Sequence, residues 1–222
     1  MLWFAPMKPD ILVDQVFAGL DRWVYARGKD GYVDPASTPA GNAGLEHGIQ
    51  QVRSEIREFA LRVLESGLRG TVLEIGLGNF GGTHILWREV FARVITLDIS
   101  AALLERFRAR EALDARSVLV CGDSRDAATV RKVADLAGAV DLLFIDGDHS
   151  YEAVRDDWRN YHSLVRPGGL VAFHDASGKR QPPTNGASLF LAELAQGKVD
   201  GRRHDVHFIL HSLMQGIGYM KT

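Results

Sequence analysis

Five short apolar runs recur through the middle of the chain at nearly constant spacing, which limits the fold more than any other feature. The runs cover residues 71–75, 94–98, 117–121, 141–146 and 170–175, and their first residues lie 23, 23, 24 and 29 residues apart. Each run is too short for a helix and is apolar without alternation, as in strands buried on both faces of a parallel sheet. The interval accommodates one strand, two loops and one crossover helix. We therefore predict a doubly wound α/β fold.

The segments around these strands have the periodicity of amphipathic helices, with apolar residues at three- and four-residue spacing. Helices are predicted over 11–25, 49–68, 83–92, 101–113, 127–137, 150–165 and 187–194. Ser100 and Ser150 stand where helix N-caps are expected, and the Arg-Pro-Gly-Gly sequence at 166–169 predicts a turn. Two final strands are predicted at 206–211 and 216–220.

The length of 222 residues fits one globular domain, preceded by a segment of different character. We assign residues 49–222 to the domain and residues 1–48 to a segment that closes over the site or mediates dimerisation. A helix in this segment carries an apolar stripe that must be buried. The stripe consists of Ile11, Leu12, Val16 and Leu20.

Composition argues against several classes of partner and location. The formal net charge is −2 and no long basic run occurs, so we expect no nucleic-acid partner. The single cysteine, Cys121, allows no internal disulfide and no cysteine cluster for zinc, and its apolar run predicts a buried core residue. The N-terminus lacks the pattern of a signal peptide, and no apolar stretch approaches the roughly 18 residues of a membrane span. We expect a soluble, cytoplasmic protein without a membrane partner.

A glycine-rich loop follows the first predicted strand. Gly76, Gly78 and Gly81 form a G-x-G-x-x-G pattern that lets the backbone turn sharply and approach a ligand. Nicotinamide-dependent oxidoreductases share this pattern, so they remain an alternative. Glu74 lies two residues before the first glycine, where dinucleotide-binding folds keep the strand apolar, and this argues against them. A cofactor-binding protein without catalytic activity is a further alternative.

Acids end the next two predicted strands. Asp98 closes the second strand, 24 residues after Glu74, where a carboxylate accepts the ribose hydroxyls of a bound nucleoside. Asp123 follows the third strand and is a candidate acceptor for an adenine amino group. Ligands bind outside the carboxyl ends of parallel strands, so these acids and the glycine loop indicate a nucleoside site.

These segments together resemble a known family. EIGLGNFGGT, VITLDIS, CGDS and LLFIDGDHSYEAVRDDWRNYHSLVRPGGLVAFHDA are similar to class I S-adenosylmethionine-dependent methyltransferases. DGDHSY and the later FHD resemble a bacterial small-molecule O-methyltransferase group, which includes macrocin-type sugar methylases and relatives of cephalosporin hydroxylase. The resemblance runs from about residue 49 to the C-terminus. It implies a Rossmann-like seven-stranded sheet of order 3-2-1-4-5-7-6, with strand 7 antiparallel and helices on both faces.

The resemblance also implies an activity and a set of cofactor-binding residues. The activity is methyl transfer from S-adenosylmethionine to a hydroxyl of a small molecule, a sugar or a natural product. Gly76 and Gly78 bind the methionine part, Asp98 the ribose, and Ile99 packs on the purine. The full set is Glu74, Gly76, Gly78, Asn79, Asp98, Ile99, Asp123, Ser124 and Asp146.

A hydroxyl acceptor must lose its proton, either to a base or because a bound metal lowers the pKa of the hydroxyl. The catalytic candidates are Asp146, His149 and His174, of which His149 is the best candidate base because it follows two carboxylates and begins a helix. Two mechanisms remain open. In one, Asp146, His174 and Asp175 hold a divalent metal, Mg or Mn; in the other, His149 or His174 is the base and Asp175 orients it. We expect a small-molecule substrate and a homodimer.

Overall fold

The computed structural model describes residues 8–25, 49–179, 185–212 and 215–222. The helices are α1 (Pro9–Tyr25), α2 (Arg53–Glu65), α3 (Gly82–Val90), α4 (Ala101–Arg110), α5 (Ala127–Ala137), α6 (Tyr151–Tyr161) and α7 (Gly186–Gln196). The strands are β1 (Thr71–Ile75), β2 (Arg93–Asp98), β3 (Ser117–Cys121), β4 (Val140–Ile145), β5 (Val165–His174), β6 (Val206–Ile209) and β7 (Ile217–Lys221). A 3₁₀ turn, His162–Leu164, connects α6 to β5. No helix of these ranges is both long and apolar enough to cross a bilayer.

The strands form one sheet of order β3-β2-β1-β4-β5-β7-β6. β1 to β5 are parallel, and β7 is antiparallel to both of its neighbours, β5 and β6. This confirms the predicted topology. The chain order reverses between β1 and β4, which is the position where open α/β sheets bind ligands.

Side chains alternate between two apolar layers, one on each face of the sheet. On β4, Leu142 and Phe144 pack with α1 to α4, whereas Leu143 and Ile145 pack with α5 to α7. All four are at most 3% exposed. Helices cover both faces of the central strands, so most positions are apolar and the sequence shows continuous runs rather than alternation.

The ends of several elements differ from the predicted ones, and two differences affect the site. β4 ends at Ile145 and β5 at His174, so Asp146 and Asp175 follow their strands. β5 begins at Val165, so the predicted turn at 166–169 lies within the strand. This extension is paired, because Gly168 N donates to the Thr222 carbonyl and Thr222 N donates to the Gly169 carbonyl.

The helix predicted before the first strand is shorter than expected at its start. α2 begins at Arg53 instead of residue 49, so residues 49–52 run to the helix as irregular chain. Among the predicted caps, the Ser100 hydroxyl accepts a hydrogen bond from Leu103 N at 3.3 Å, whereas Ser150 precedes α6 without a side-chain cap bond.

The expectation that Cys121 is a buried core residue is wrong. Its side chain is exposed because it ends β3, the edge strand of the sheet. An edge strand has a neighbour on one side only, so the cover of its last residue depends on the adjoining loops. Here Cys121 Sγ lies 3.8 Å from the Ile99 carbonyl.

α1 is part of the apolar layer formed with α2 and α3. Val13, Phe17 and Leu20 are at most 1% exposed, whereas Ile11 is 49% exposed. The buried stripe is thus rotated from the predicted one, which included Ile11. Residues 26–48, the rest of the predicted N-terminal segment, lie outside the described residues.

The packing of α1 predicts the effect of two matched substitutions. Phe17→Ala removes a ring that is 1% exposed and should lower the free energy of unfolding by about 3–5 kcal/mol. Ile11→Ala, at an exposed position of the same helix, should change it by less than about 0.5 kcal/mol. Urea unfolding of both variants measures the difference. Equal effects would show that α1 does not pack on the domain in solution.

Candidate active site and cofactor cavity

The loop after β1 lies directly against the end of β4. Gly76 N donates to the Leu97 carbonyl at 2.8 Å, and Asp146 N donates to the Ile75 carbonyl at 2.8 Å. Gly76 has φ 94°, and a Cβ at this position would lie 2.1 Å from the Asp146 carbonyl oxygen. Only glycine satisfies both the backbone conformation and the close approach.

A cavity of about 310 Å³ opens where β1 to β4 end. Most of the predicted cofactor-binding residues line it: Gly76, Gly78, Asp98, Ile99, Asp123, Ser124 and Asp146. Two of the predicted residues lie elsewhere. Glu74 is fully buried beneath the site, and Asn79 lines a neighbouring cavity.

Asp98 connects three parts of the cofactor cavity. Its Oδ2 accepts a hydrogen bond from Leu77 N at 2.9 Å, and its Oδ1 accepts one from Ser100 N at 2.7 Å. The carboxylate therefore holds the glycine loop to the end of β2 and to the start of α4. Ile99, next in the chain, is 68% exposed and leaves an apolar side chain open beside the cavity.

Glu74 belongs to a chain of buried hydrogen bonds. Thr96 Oγ1 donates to Glu74 Oε2 at 2.6 Å. His84 Nδ1 is 2.8 Å from Thr96 Oγ1, and His84 Nε2 is 3.0 Å from Ser117 Oγ. The Thr96 hydroxyl donates to the glutamate, so His84 donates from Nδ1 and accepts the Ser117 proton at Nε2.

Two pKa shifts agree with this direction of donation. Burial lowers the pKa of His84 to about 3, so the imidazole is neutral. Burial likewise raises the pKa of Glu74 to about 8, despite hydrogen bonds from Thr83 and Thr96. Glu74 is therefore protonated at neutral pH.

A second cavity, of about 280 Å³, adjoins the first and shares Gly78, Asp146 and Gly147 with it. No phenylalanine, tyrosine, tryptophan or aliphatic side chain is among the described residues that line it. They are Gln50, Gly78, Asn79, Asp146, Gly147, His149, His174, Asp175 and Gln215. Such a lining suits an acceptor with several hydrogen-bonding groups.

Asp146 is held at both carboxylate oxygens. Its Oδ1 accepts a hydrogen bond from His174 Nδ1 at 2.9 Å, and its Oδ2 accepts one from Gln51 Nε2 at 2.8 Å. Burial alone would lower the pKa of His174, but the attraction of Asp146 and Asp175 raises it to about 9. His174 is therefore a cation at neutral pH and stabilises the two carboxylates.

Asp175 is the only described residue other than glycine with a positive φ, 57°. Consecutive residues of a strand face opposite sides of the sheet. The positive φ of Asp175 turns the backbone directly after β5, so Asp175 does not follow this alternation. Its Oδ2 lies 3.0 Å from His149 Nε2. Burial lowers the pKa of His149, but the hydrogen bond to Asp175 and the charges of Asp175 and Asp146 together outweigh burial and raise the pKa above its usual value.

The structure gathers a set of potential metal ligands that differs from the predicted set in one member. Ligand atoms of Asp146, His149 and Asp175 all lie within 4.8 Å of one another. The predicted set of ligands contains His174, whereas the cluster in the structure contains His149. In its protonated form His174 has no lone pair to offer a metal, and its Nε2 is buried without a hydrogen-bond partner among the described residues.

Several polar residues of the two cavities were not predicted from the sequence. Gln50 and Gln51 reach the site from the irregular segment before α2, and Gln215 reaches it from the turn before β7. That turn is held by Glu55 of α2, whose carboxylate accepts hydrogen bonds from three backbone N–H groups. The donors are His211 at 2.8 Å, Ser212 at 2.6 Å and Gly216 at 3.0 Å. Only the folded contacts reveal these residues, because none stands in a recognisable spacing.

Comparison with known proteins agrees with the fold. Residues 73–176 match the family described as "Methyltransferase domain". This match covers the sheet from β1 to the end of β5, including the glycine loop and both cavity acids, Asp146 and Asp175. This part of the chain is therefore similar to methyltransferase domains.

The curated relatives include two methyltransferases that are named for sugar-bearing or macrolide substrates. The chain is 29% identical over 123 residues to 8-demethyl-8-alpha-L-rhamnosyl tetracenomycin-C 2'-O-methyltransferase of Streptomyces olivaceus, with 53% of this chain and 31% of that protein covered. It is 31% identical over 113 residues to mycinamicin VI 2''-O-methyltransferase of Micromonospora griseorubida, with 47% and 26% covered. The chain thus spans about a third or less of the length of these relatives.

A solved structure has the same fold. It is the methyltransferase MycE of the mycinamycin biosynthetic pathway, in complex with Mg, SAH and mycinamycin VI. The TM-score is 0.57 at 22% identity, and the alignment covers 74% of this chain and 48% of that one. At this identity the likeness establishes the fold.

The buried state of Glu74 predicts a pH-dependent effect of Glu74→Gln. The folded-state pKa is raised to about 8, so ionisation opposes folding as the pH rises from about 4.5 towards 8. The amide cannot ionise, so the variant should gain stability relative to wild type between pH 5 and pH 8, by on the order of a few kcal/mol.

Urea unfolding of both proteins at the two pH values measures this gain. Glu65→Gln, at a partly exposed position of α2, should show no such trend. A wild-type-to-variant difference that stays constant with pH would mean that Glu74 ionises in the folded protein as easily as in the unfolded chain.

Proposed function

We propose that this protein transfers the methyl group of S-adenosylmethionine to a hydroxyl of a small polar molecule, a sugar or a sugar-bearing natural product. The observation that carries the proposal is the junction of the two cavities at Gly78, Asp146 and Gly147. One cavity has the nucleoside-binding features of the fold. The other is polar and contains His149 beside Asp175.

The names of the relatives support an oxygen acceptor on a sugar. Two of them are O-methyltransferases, and the first acts on a rhamnosyl compound according to its name. The polar lining of the second cavity is compatible with the same substrate class, because each hydroxyl of a sugar needs a donor or an acceptor when it leaves water.

When bound, S-adenosylmethionine supplies an activated methyl group on a sulfonium. The chain's contribution is to hold the acceptor hydroxyl in line and to remove its proton. Gly76 and Gly78 bind the methionine part, and Asp98 accepts the ribose hydroxyls. Asp146, at the junction, lies beside the reacting groups.

His149 is proposed as the base. In the neutral imidazole whose Nε2 donates to Asp175, Nδ1 carries no proton and is available to accept one from the acceptor hydroxyl. Asp175 stabilises the imidazolium that results, as an acid paired with a catalytic histidine does. His174 has a different role, because it is already protonated and holds Asp146 in place.

A divalent metal is compatible with the same residues. Asp146 and Asp175 provide the carboxylate oxygens that Mg²⁺ and Mn²⁺ prefer, and His149 adds an imidazole that favours Mn²⁺ over Mg²⁺. Such an ion lowers the pKa of a bound hydroxyl. The proposal is that Asp146 and Asp175 hold the ion and that His149 completes the set or accepts the proton.

The rest of the proposal concerns partners and location. A net charge of −2 and the polar second cavity favour a small molecule over a nucleic acid. Assembly as a homodimer and a cytoplasmic location remain predictions from the sequence.

The cofactor assignment predicts selective binding that depends on Asp98. S-adenosylhomocysteine should raise the melting temperature of wild type, whereas NAD and NADP should not, because only ligands of the native state stabilise it. Asp98→Ala should weaken S-adenosylhomocysteine binding by about 1.5–3 kcal/mol through loss of a charge-assisted bond to the ribose. Titration calorimetry measures the affinity.

Asp135→Ala, at an exposed position of α5, is the matched control and should bind like wild type. Unchanged affinity in a folded Asp98→Ala protein would refute the ribose assignment. Stabilisation by NAD instead of S-adenosylhomocysteine would restore the oxidoreductase alternative.

The metal assignment predicts binding of Mn²⁺ alone. Titration followed by the electron paramagnetic resonance signal of free Mn²⁺ should reveal one site in wild type. Asp175→Asn should weaken it by more than about tenfold, since even outer partners of metal ligands are worth 10–100-fold. Asp135→Asn should leave it unchanged.

His149→Ala separates the two roles of the imidazole. As a base, His149 is required for turnover but not for Mn²⁺ binding; as a ligand, it is required for both. Turnover is followed as S-adenosylhomocysteine release with a panel of sugars and glycosylated natural products. Full turnover in EDTA, without Mn²⁺ binding, would eliminate the metal and leave His149 as the sole base.

A further inference from the structure

A buried amide in the wall of the second cavity has no part in the roles described above. Gln215 lies in the turn before β7, is 9% exposed and lines the cavity of about 280 Å³ together with His149 and Asp175. Its Oε1 has no hydrogen-bond donor among the described residues. A buried polar atom without a partner costs free energy, and a ligand in the cavity that donates a hydrogen bond would remove this cost.

Other side-chain acceptors of the same cavity already have donors. Asp146 receives hydrogen bonds at both carboxylate oxygens. Gln50 Oε1 accepts a hydrogen bond from Asn79 N at 2.8 Å, and Asp175 pairs with His149. The amide oxygen in the turn before β7 is thus left for a ligand.

The backbone of this turn is fixed beside Asp175. The Gln215 carbonyl accepts a hydrogen bond from Ser177 N at 2.7 Å, and the Gly216 carbonyl accepts one from Ala176 N at 3.1 Å. The two donors directly follow Asp175 in the chain. The turn is therefore held to the segment that carries the partner of the proposed base.

Glu55 fixes the same turn to α2. Its carboxylate accepts the backbone N–H groups of His211, Ser212 and Gly216, and Ser212 Oγ accepts a hydrogen bond from Gln215 N at 3.0 Å. Glu55 itself is 1% exposed. A side chain on a backbone that is held at several points loses little further freedom when it binds a ligand, and this favours selective recognition.

The chemistry of the amide limits what Gln215 can recognise. Its oxygen accepts a hydrogen bond and carries no formal charge, so it suits a neutral donor such as a hydroxyl. The hydroxyl that is methylated must face His149, the proposed base. A different hydroxyl of the same molecule is then free to reach Gln215 in the same cavity, and a sugar carries such hydroxyls side by side on its ring.

On the basis of the proposed function, we infer that Gln215 Oε1 accepts a hydrogen bond from an acceptor hydroxyl adjacent to the one that is methylated. Gln215 thereby selects acceptors that carry both hydroxyls over analogues in which the adjacent one is replaced by hydrogen. Such an analogue leaves the amide oxygen without a donor, and a site that bonds a hydroxyl discriminates against ligands that lack it.

Turnover of matched acceptors tests the inference on wild type. The first acceptor is the best substrate in the panel of sugars and glycosylated natural products, with the methylated position identified by NMR of the product. The others lack one hydroxyl adjacent to that position. One of them should have a kcat/KM about 5–150-fold lower, the cost of leaving a buried acceptor unpaired. Equal kcat/KM for all of them would overturn the inference without any variant.

Gln215→Leu should remove this discrimination, because leucine has a similar size and no acceptor atom. Its kcat/KM for the full acceptor should fall to about the wild-type value for the poor analogue, whereas its kcat/KM for that analogue should not fall. Gln215→Glu keeps an acceptor oxygen and should keep the discrimination. Gln196→Leu, at an exposed position at the end of α7, is the matched control and should behave like wild type.

A purely structural role of Gln215 predicts a different result. It would lower kcat/KM for the acceptor and for its analogue by the same factor, so an unchanged ratio in folded Gln215→Leu would overturn the inference. Titration calorimetry with S-adenosylhomocysteine should give wild-type affinity, because Gln215 is not among the described residues that line the cofactor cavity. If wild type binds S-adenosylhomocysteine but methylates no member of the panel, the proposed acceptor class is refuted, and the inference with it.

Discussion

The contact between Gly76 and the Asp146 carbonyl determines the geometry of the whole site. A side chain at Gly76 would meet this oxygen at 2.1 Å, so the loop after β1 can lie against β4 only as glycine. The contact occurs where the strand order reverses, and it brings the cofactor cavity and the polar cavity together at Asp146. Gln51 and His174 then fix the carboxylate of Asp146 from two sides. The orientation of every group that faces the junction depends on this close approach.

A chain of buried hydrogen bonds lies beneath the cofactor cavity. The hydrogen bonds from Ser117 through His84 and Thr96 to Glu74 connect β3, α3, β2 and β1. The hydroxyls of Ser117 and Thr96 and the imidazole of His84 each donate one hydrogen bond in the same direction, which is possible because His84 is neutral. A buried polar chain whose members have partners holds its strands in one register, because a shift would leave several groups without partners. The ends of β1 and β2, which carry the glycine loop and Asp98, are thereby held in a fixed position relative to each other.

The sequence predicted the sheet and the acids after its strands, but only part of the site around them. The order of strands and the places of Asp98 and Asp146 follow from buried strands at regular spacing, since carboxyl ends of parallel strands meet at one edge. The predicted metal set named His174, whereas the cluster of potential ligand atoms in the structure contains His149. Sequence spacing does not reveal the backbone turn at Asp175 that brings its carboxylate to His149. Gln215 was missed because Glu55, about 160 residues earlier, holds its turn.

Several carboxyl groups lie at or beneath this edge of the sheet, and the fold stabilises them in different ways. Glu74 is neutral through a bound proton, and Asp98 receives backbone N–H groups. Asp146 and Asp175 are stabilised by the cationic His174, and Asp175 also contacts His149. Asp157 has only Ser124 and the nearby Arg125 to offset its burial. The basic groups that line the two cavities, Arg125, His149 and His174, are fewer than the carboxyl groups there, so the site retains negative charge. A cationic ligand is the natural complement of such a site, and both the sulfonium of S-adenosylmethionine and a divalent metal ion meet that requirement.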